Sequence, residues 1–205
     1  MRTQSRTRFI ATVVMLAAVS YILAFFEVPL PIFPSFLKVD ISDIPALVAA
    51  FALGPIAGIV VELVKNAFQL FGSSTFGIGE LANFIIGSAF VGTAGVVYRY
   101  KHTKSGAILG CLAGTVAMAL AGAALNFFVL LPLYVKFMSL PMENIIETSQ
   151  VAIPLIDSKL TLILWGVVPF NIFKGLLVMV VTMFIYKPLS PILKGQRALH
   201  HTDDE

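Results

Sequence analysis

Apolar residues fill this chain in long runs that polar residues interrupt at only a few places. The first run extends from Phe9 to Phe26 and ends at Pro29-Leu30-Pro31-Ile32-Phe33-Pro34. Such a segment cannot continue a helix, because proline lacks an N–H and restricts the residue before it. An extended loop carrying Lys38, Asp40 and Asp43 follows, and Pro45 then opens a short run at a first-turn position that tolerates proline. Gly54-Pro55 punctuates the chain before a fuller run, and Gly72-Ser73-Ser74 marks the next turn. A membrane-spanning helix needs about 20 residues. The pattern therefore predicts an all-α polytopic membrane protein, a single transmembrane domain over residues 1–205 with helices at about 9–26, 44–53, 55–71, 78–98, 105–135 and 160–186. It is a six-helix bundle with an extended first extracellular loop. The 44–53 helix is too short to span alone and needs protein around it, and Pro132 and Pro169 predict local kinks in the last two helices.

Composition agrees: 58% of the residues are hydrophobic and 12% charged, against about 45–50% and 25% in soluble domains. Little chain is left for a soluble domain, and a net charge of +3 is too small to point to nucleic acid. The positions of the basic residues say more than their sum. Arg2, Arg6 and Arg8, then Arg99, Lys101 and Lys104, then Lys187, Lys194 and Arg197 all fall on one side of a six-helix topology. The positive-inside rule makes that side, with both termini, cytoplasmic. Glu27, Asp40, Asp43, Glu143, Glu147 and Asp157 fall on the other. The first run is longer than a signal-peptide core, and Glu27-Val28-Pro29 offers no small-residue cleavage pattern, so it reads as a retained helix. Cys111, the one cysteine, reads as a small buried hydrophobe, and His200-His201 as a solvated tail.

Against this apolar background a few polar residues stand out. Placing a lysine at the centre of a membrane helix costs about 2.5–3.5 kcal/mol on insertion scales, so Lys174, with Asn171 on the same helical face, marks either a functional position or polar glue between helices. Glu62, Lys65 and Asn66 lie late in the third helix, Glu80 and Asn83 early in the fourth, and Asn126 late in the fifth. In the orientation above, all of these sit in the outer half of one bundle. Glu62 and Lys65, three residues apart, are either a mutually neutralising pair or ligand contacts. Glu80 is either a cap near the positive end of its helix or a ligand contact. The asparagines offer donor and acceptor side by side, matching the imide edge of a pyrimidine-like ring, and lysine adds a donor for a carbonyl. Walls for a flat ligand could come from Phe33, Phe36, Phe127, Phe128, Trp165 and Phe170.

Enzyme signatures are missing: there is no phosphate loop, no nucleophile elbow, no H-E-x-x-H and no cysteine pair for zinc, so no catalytic or metal residue is assigned. Any ATP must be held by another subunit. Gly106, Gly110 and Gly114 form overlapping G-x-x-x-G spacings, a smooth face for packing within the bundle or for docking another membrane subunit.

Four segments carry a family resemblance. They are Phe36-Leu37-Lys38-Val39-Asp40-Ile41-Ser42-Asp43-Ile44-Pro45, Gly54-Pro55-Ile56-Ala57-Gly58 with Val61-Glu62-Leu63-Val64-Lys65-Asn66, Gly77-Ile78-Gly79-Glu80-Leu81-Ala82-Asn83-Phe84, and Asn171-Ile172-Phe173-Lys174-Gly175. Together they resemble the riboflavin-specific substrate-binding subunit of energy-coupling-factor (ECF) transporters, over about residues 8–187. The resemblance implies a subunit of the bacterial cell membrane that binds riboflavin from outside, as transported ligand and not as cofactor. It also implies assembly with a transmembrane coupling subunit and two cytoplasmic ATPases. In that family the flavin contacts carry over to Asn126, Asn171 and Lys174 and to Gly79, Ala82 and Asn83, and the loop at Phe36, Leu37, Lys38 and Asp40 is implied as a lid. Family members dock through an A-x-x-x-A face on the first helix, where this chain has Ser20 and Ala24 at that spacing. The competing readings are a subunit for another vitamin, a solitary transporter relaying protons through Glu62, Lys65 and Lys174, and a membrane enzyme acting on a lipid-like substrate.

Overall fold

The computed structural model describes residues 2–201, with side chains over 6–185. The side chains of Arg2, Lys187, Lys194, Arg197, His200 and His201 lie outside the described residues. Helix α1 (Arg2–Ala24) leads into a segment that is not wholly extended. Strands β1 (Val28–Pro29) and β2 (Lys38–Val39) pair antiparallel, Val28 opposite Val39, and close residues 30–37 into a hairpin. Helix α2 (Asp43–Leu53) has 11 residues, about 16 Å at 1.5 Å per residue, half of what a bilayer core requires. Its polar ends are tolerated at that depth because protein surrounds it: nine consecutive residues, Asp43 to Phe51, are buried.

Gly54 turns the chain with φ 105°, a conformation that a side chain would strain, and Pro55 starts α3 (Pro55–Gln69). The α2–α3 hairpin is tight: a Cβ on Gly58 would fall 2.7 Å from that of Ala50. A 3₁₀ turn over Leu70–Gly72 leads to α4 (Ile78–Tyr100), and Thr103, accepting from the Gly106 amide at 3.1 Å, caps α5 (Lys104–Leu125). Gly110 and Gly114 face α4, where an added Cβ would meet the Ala94 and Phe90 carbonyl oxygens at 2.7 and 2.6 Å. Their smooth face is therefore consumed inside the bundle. Ser20 and Ala24 of α1 are likewise buried, with Ser20 donating to the Ser42 carbonyl at 2.5 Å, so this pair presents no outward docking face.

The expected kinks take the form of π turns. Asn126–Leu130 joins α5 to α6 (Leu131–Phe137), and Leu162–Val167 joins α8 (Lys159–Thr161) to α9 (Val168–His201). Each wide turn lies just before the proline, Pro132 or Pro169, whose ring would crowd the carbonyl four residues back in a regular helix. The result is five long apolar rods, Arg6–Ala24, Pro55–Gly72, Ile78–Tyr100, Lys104–Phe137 and Lys159–Ile185, around the short α2. The order is the one expected, with two differences: α9 continues past residue 186 to His201, and the connection expected as a loop contains α7 (Met142–Gln150).

One apolar core surrounds α2, with Leu47, Phe51, Val61, Phe90 and Met118. A second, with Phe33, Leu37, Ile156, Leu162 and Phe170, lies where the hairpin and α7 meet the starts of the last helices. Large apolar residues such as Met15, Ile22, Val116, Leu120 and Phe184 face outward, as a lipid-exposed surface demands.

Candidate functional site

A cavity of about 220 Å³ opens at the end of the bundle where the hairpin, the 72–77 turn and α6 meet. The hairpin contributes Glu27, Phe36, Leu37, Lys38 and Asp40. From α4 come Gly79, Glu80, Ala82 and Asn83, with Asn126 at the π turn and Asn171 and Lys174 from α9. All ten residues expected to touch a ligand thus share one wall system. Glu62 and Lys65 do not line it. Of the expected aromatic walls only Phe36 and Phe170 do. Phe33 stacks edge-on behind Phe170 at 5.4 Å, Phe127 lies under the Lys159 ammonium, and Phe128 and Trp165 are exposed on the outside. The cavity also takes Gln69, Tyr134 and Met118, which the apolar pattern did not single out.

The amides are held in a common way. Asn126 Nδ2 donates to the Gly122 carbonyl and Asn171 Nδ2 to the Val167 carbonyl, each at 2.8 Å on its own helix. One N–H of each is thereby satisfied, which fixes the amide plane and leaves an oxygen and a second N–H for another partner. Both asparagines are buried. Gly122 is what admits Asn171, because a Cβ there would fall 2.7 Å from its Nδ2.

Beneath the cavity, and reaching its wall through Asp40 and Lys174, lies a buried ionic cluster. Lys174 Nζ is 2.9 Å from Asp40 Oδ2 and 3.2 Å from Asp43 Oδ2. Lys65 Nζ is 2.8 Å from Asp43 Oδ1, 2.7 Å from Glu62 Oε2 and 3.1 Å from Ser42 Oγ. Ser42 closes the ring, its amide donating to Asp40 Oδ1 at 2.8 Å and its hydroxyl to the same oxygen. Burial, with the nearby Asp43 charge, would raise the Asp40 carboxyl, but the Lys174 and Lys65 ammonium groups and the Ser42 hydrogen bond together outweigh this and hold the group below the ordinary carboxylate range. A lysine buried in the bundle needs a counter-charge. Two carboxylates provide it, because the short α2 begins deep in the bundle and brings Asp40 and Asp43 down from the loop. The Glu62–Lys65 pair exists, as part of this larger cluster. Asp43 is the residue that sequence reasoning left in the outer loop. The signal that would have found it was the length of α2, too short to reach the surface.

At the mouth, Glu80 Oε2 accepts from Ser73 Oγ at 2.9 Å and Thr75 Oγ1 at 3.0 Å. The turn is held by positive φ at Phe76 (54°) and Gly77 (83°). No group of three or more metal-ligating side chains converges among the described residues.

Comparison with known proteins follows the same outline. The family described as "ECF transporter, substrate-specific component" matches residues 8–186. The riboflavin transporter RibU of Staphylococcus aureus (strain TCH60) is 36% identical over 183 residues, covering 89% of this chain and 90% of its own. The riboflavin transporter FmnP of Bacillus subtilis (strain 168) is 33% identical over 199 residues, 95% of this chain and 98% of its own. Among solved structures, the S component of a bacterial ECF transporter superposes with a TM-score of 0.73 at 33% identity, over 92% of this chain and 99% of that one.

Proposed function

Because the chain belongs to the substrate-specific component family of ECF transporters, we propose that it is the membrane subunit that captures riboflavin from the outer side for ATP-driven uptake. ATP hydrolysis takes place in partner subunits, two cytoplasmic ATPases coupled through a further transmembrane subunit, and this chain catalyses no reaction of its own. The observation that carries the reading is the convergence of Asn83, Asn126, Asn171 and Lys174 on one cavity under a hairpin, in a chain whose relatives are riboflavin transporters.

The chemistry fits the flavin. Its pyrimidine edge alternates carbonyl, N–H and carbonyl, and the amides answer that pattern with their free oxygen and N–H. An ammonium has three donors. On Lys174 one goes to Asp40, Asp43 adds a nearby counter-charge, and the remaining donor capacity is left for a flavin carbonyl. Phe36, Leu37, Phe170 and Met118 supply apolar surface for the rings. Asp40 belongs to the hairpin side and is tied to Lys174, so the lid is anchored to the binding lysine.

The termini lie on the cytoplasmic side. Glu27, Ser74 and Tyr134 line the same cavity, so the hairpin, the 72–77 turn and the end of α6 share one face of the bundle. Arg6, Arg8, Arg99, Lys101 and Lys104 belong to the opposite face by connectivity.

The test is an equilibrium titration of the purified protein with riboflavin, followed by quenching of flavin fluorescence, with biotin and thiamine as competitors. Saturable quenching that the other vitamins leave untouched is expected. Colourless protein that neither quenches nor retains flavin would overturn the reading, and displacement by another vitamin would reassign the substrate.

A further inference from the structure

The flavin reading leaves Glu80 unused, a charged residue of the cavity that, among the described residues, joins no ion pair. We infer that Glu80 is the specificity-determining residue for the sugar-alcohol chain of the ligand: it accepts hydrogen bonds from the chain's hydroxyls and disfavours phosphorylated flavins. This inference rests on the flavin reading of the cavity and deepens it.

Glu80 lies on α4 one turn outward of Asn83, so the two project on the same side, with Glu80 nearer the mouth. If the imide edge of the ring reaches the amides, the hydroxyl-rich chain must occupy the wetter, more polar end, because burying hydroxyls without partners is costly. That end is where Glu80 stands.

The carboxylate is oriented in advance. Ser73 Oγ accepts from the amides of Gly77 and Thr75 at 2.9 and 3.2 Å, and Thr75 Oγ1 accepts from the Gly79 amide at 3.0 Å. A hydroxyl whose lone pairs face backbone N–H groups has its proton directed elsewhere. Both hydroxyls direct theirs to Glu80 Oε2, at 2.9 and 3.0 Å. Oε1 takes no part in these bonds and stays available as an anionic acceptor, the stronger kind for a hydroxyl donor.

Its charge is also unneutralised. Among the described residues the other acidic group at the mouth, Glu27, is paired with Lys38, whereas Glu80 forms no ion pair. A terminal phosphate on the chain would place up to two further negative charges beside it. Attraction for a polyol and repulsion of its phosphate ester thus come from one carboxylate.

The experiment measures Kd for riboflavin, for lumiflavin, which has the same rings with a methyl group in place of the polyol, and for riboflavin 5′-phosphate. Wild-type protein is compared with Glu80→Gln, which keeps shape and removes charge. The variant should lose about tenfold in riboflavin affinity, keep its lumiflavin affinity within about twofold, and narrow the gap between riboflavin and its phosphate by about tenfold. Ser73→Ala, which loosens the carboxylate without removing it, should move riboflavin in the same direction by a smaller factor. Equal losses for riboflavin and lumiflavin would make Glu80 a structural residue and overturn the inference, as would an unchanged preference against the phosphate. Wild-type protein that binds neither riboflavin nor lumiflavin would instead overturn the flavin reading itself, and the inference with it.

Discussion

The cavity and the ionic cluster beneath it are both polar, both buried in an apolar bundle, and built on opposite plans. Cavity amides bond to carbonyls of their own helices, as Asn126 does to Gly122 and Asn171 to Val167, and keep capacity in reserve. Cluster members pair with one another across four elements: the hairpin's exit at Asp40, α2 at Asp43, α3 at Glu62 and Lys65, and α9 at Lys174. Self-capped groups can wait for a ligand at little cost, whereas buried charges must be paired at all times. One region is therefore a site and the other a scaffold, and the Asp40–Lys174 ion pair belongs to both.

Breaking the scaffold should give the largest effect. Lys65→Ala leaves Glu62 and one oxygen of Asp43 buried without their cation, and removal of one partner from a buried pair costs about 3–5 kcal/mol. The expected outcome is a marked fall in Tm in detergent or loss of monodisperse protein, whether or not flavin is present. Glu62→Gln is the sharper variant. The cluster holds three carboxylates (Asp40, Asp43, Glu62) against two ammonium groups (Lys65, Lys174), so this change removes surplus charge and should destabilise far less. A Glu62→Gln protein as unstable as Lys65→Ala would mean that the cluster is held by the full set of charges, and the division between site and scaffold would need redrawing.

Lys174→Ala tests the shared ion pair. Both plans should fail together: riboflavin affinity falls by roughly 10–100-fold, the value of a hydrogen bond to a charged group, and Tm falls as Asp40 and Asp43 lose a counter-charge. A variant that binds weakly at unchanged Tm would place Lys174 with the site alone. Next in size are Asn126→Ala and Asn171→Ala. Each removes a neutral hydrogen-bonding group, worth about 1 kcal/mol, and should weaken binding about fivefold to tenfold with Tm of the unliganded protein nearly unchanged. Loss of stability in either variant would show the amide to be glue between helices.

The two regions were unequally legible in the sequence. Asn83, Asn126, Asn171 and Lys174 could be gathered because each is a polar group conspicuous in an apolar run and connectivity places them at one end, whereas Gly79, Ala82 and the loop residues Phe36, Leu37, Lys38 and Asp40 came from the family resemblance. Hairpin pairing was not readable, since strands of two residues such as Val28–Pro29 carry no periodicity. Nor were the π turns, although Pro132 and Pro169 marked where the helices would yield. The ionic partners of Lys174 were missed because Asp40 and Asp43 lie 134 and 131 positions away in an apparent surface loop. Only the depth of α2, a property of the packed bundle, brings them to it. The sequence left the aromatic candidates open for a related reason: Phe128 and Trp165 are apolar residues of membrane helices, and facing lipid satisfies them as well as facing a ligand.

The smallest expected effect probes the pre-orientation of the cavity amides without removing any of them. Gly122 supplies the carbonyl that holds Asn126 and the space that Asn171 occupies. In Gly122→Ala the carbonyl remains, so Asn126 stays tethered. The new methyl, 2.7 Å from Asn171 Nδ2, must push that amide off the Val167 carbonyl or tilt α9 slightly. Binding should weaken by a factor of about two to five, less than for Asn171→Ala, because the amide is displaced and can still reach the ligand at an energetic cost below that of a lost hydrogen bond. Combining the two changes distinguishes mechanism from coincidence. If Gly122 acts through Asn171, the double variant binds no worse than Asn171→Ala alone, whereas additive losses would mean that the methyl disturbs the cavity by another route.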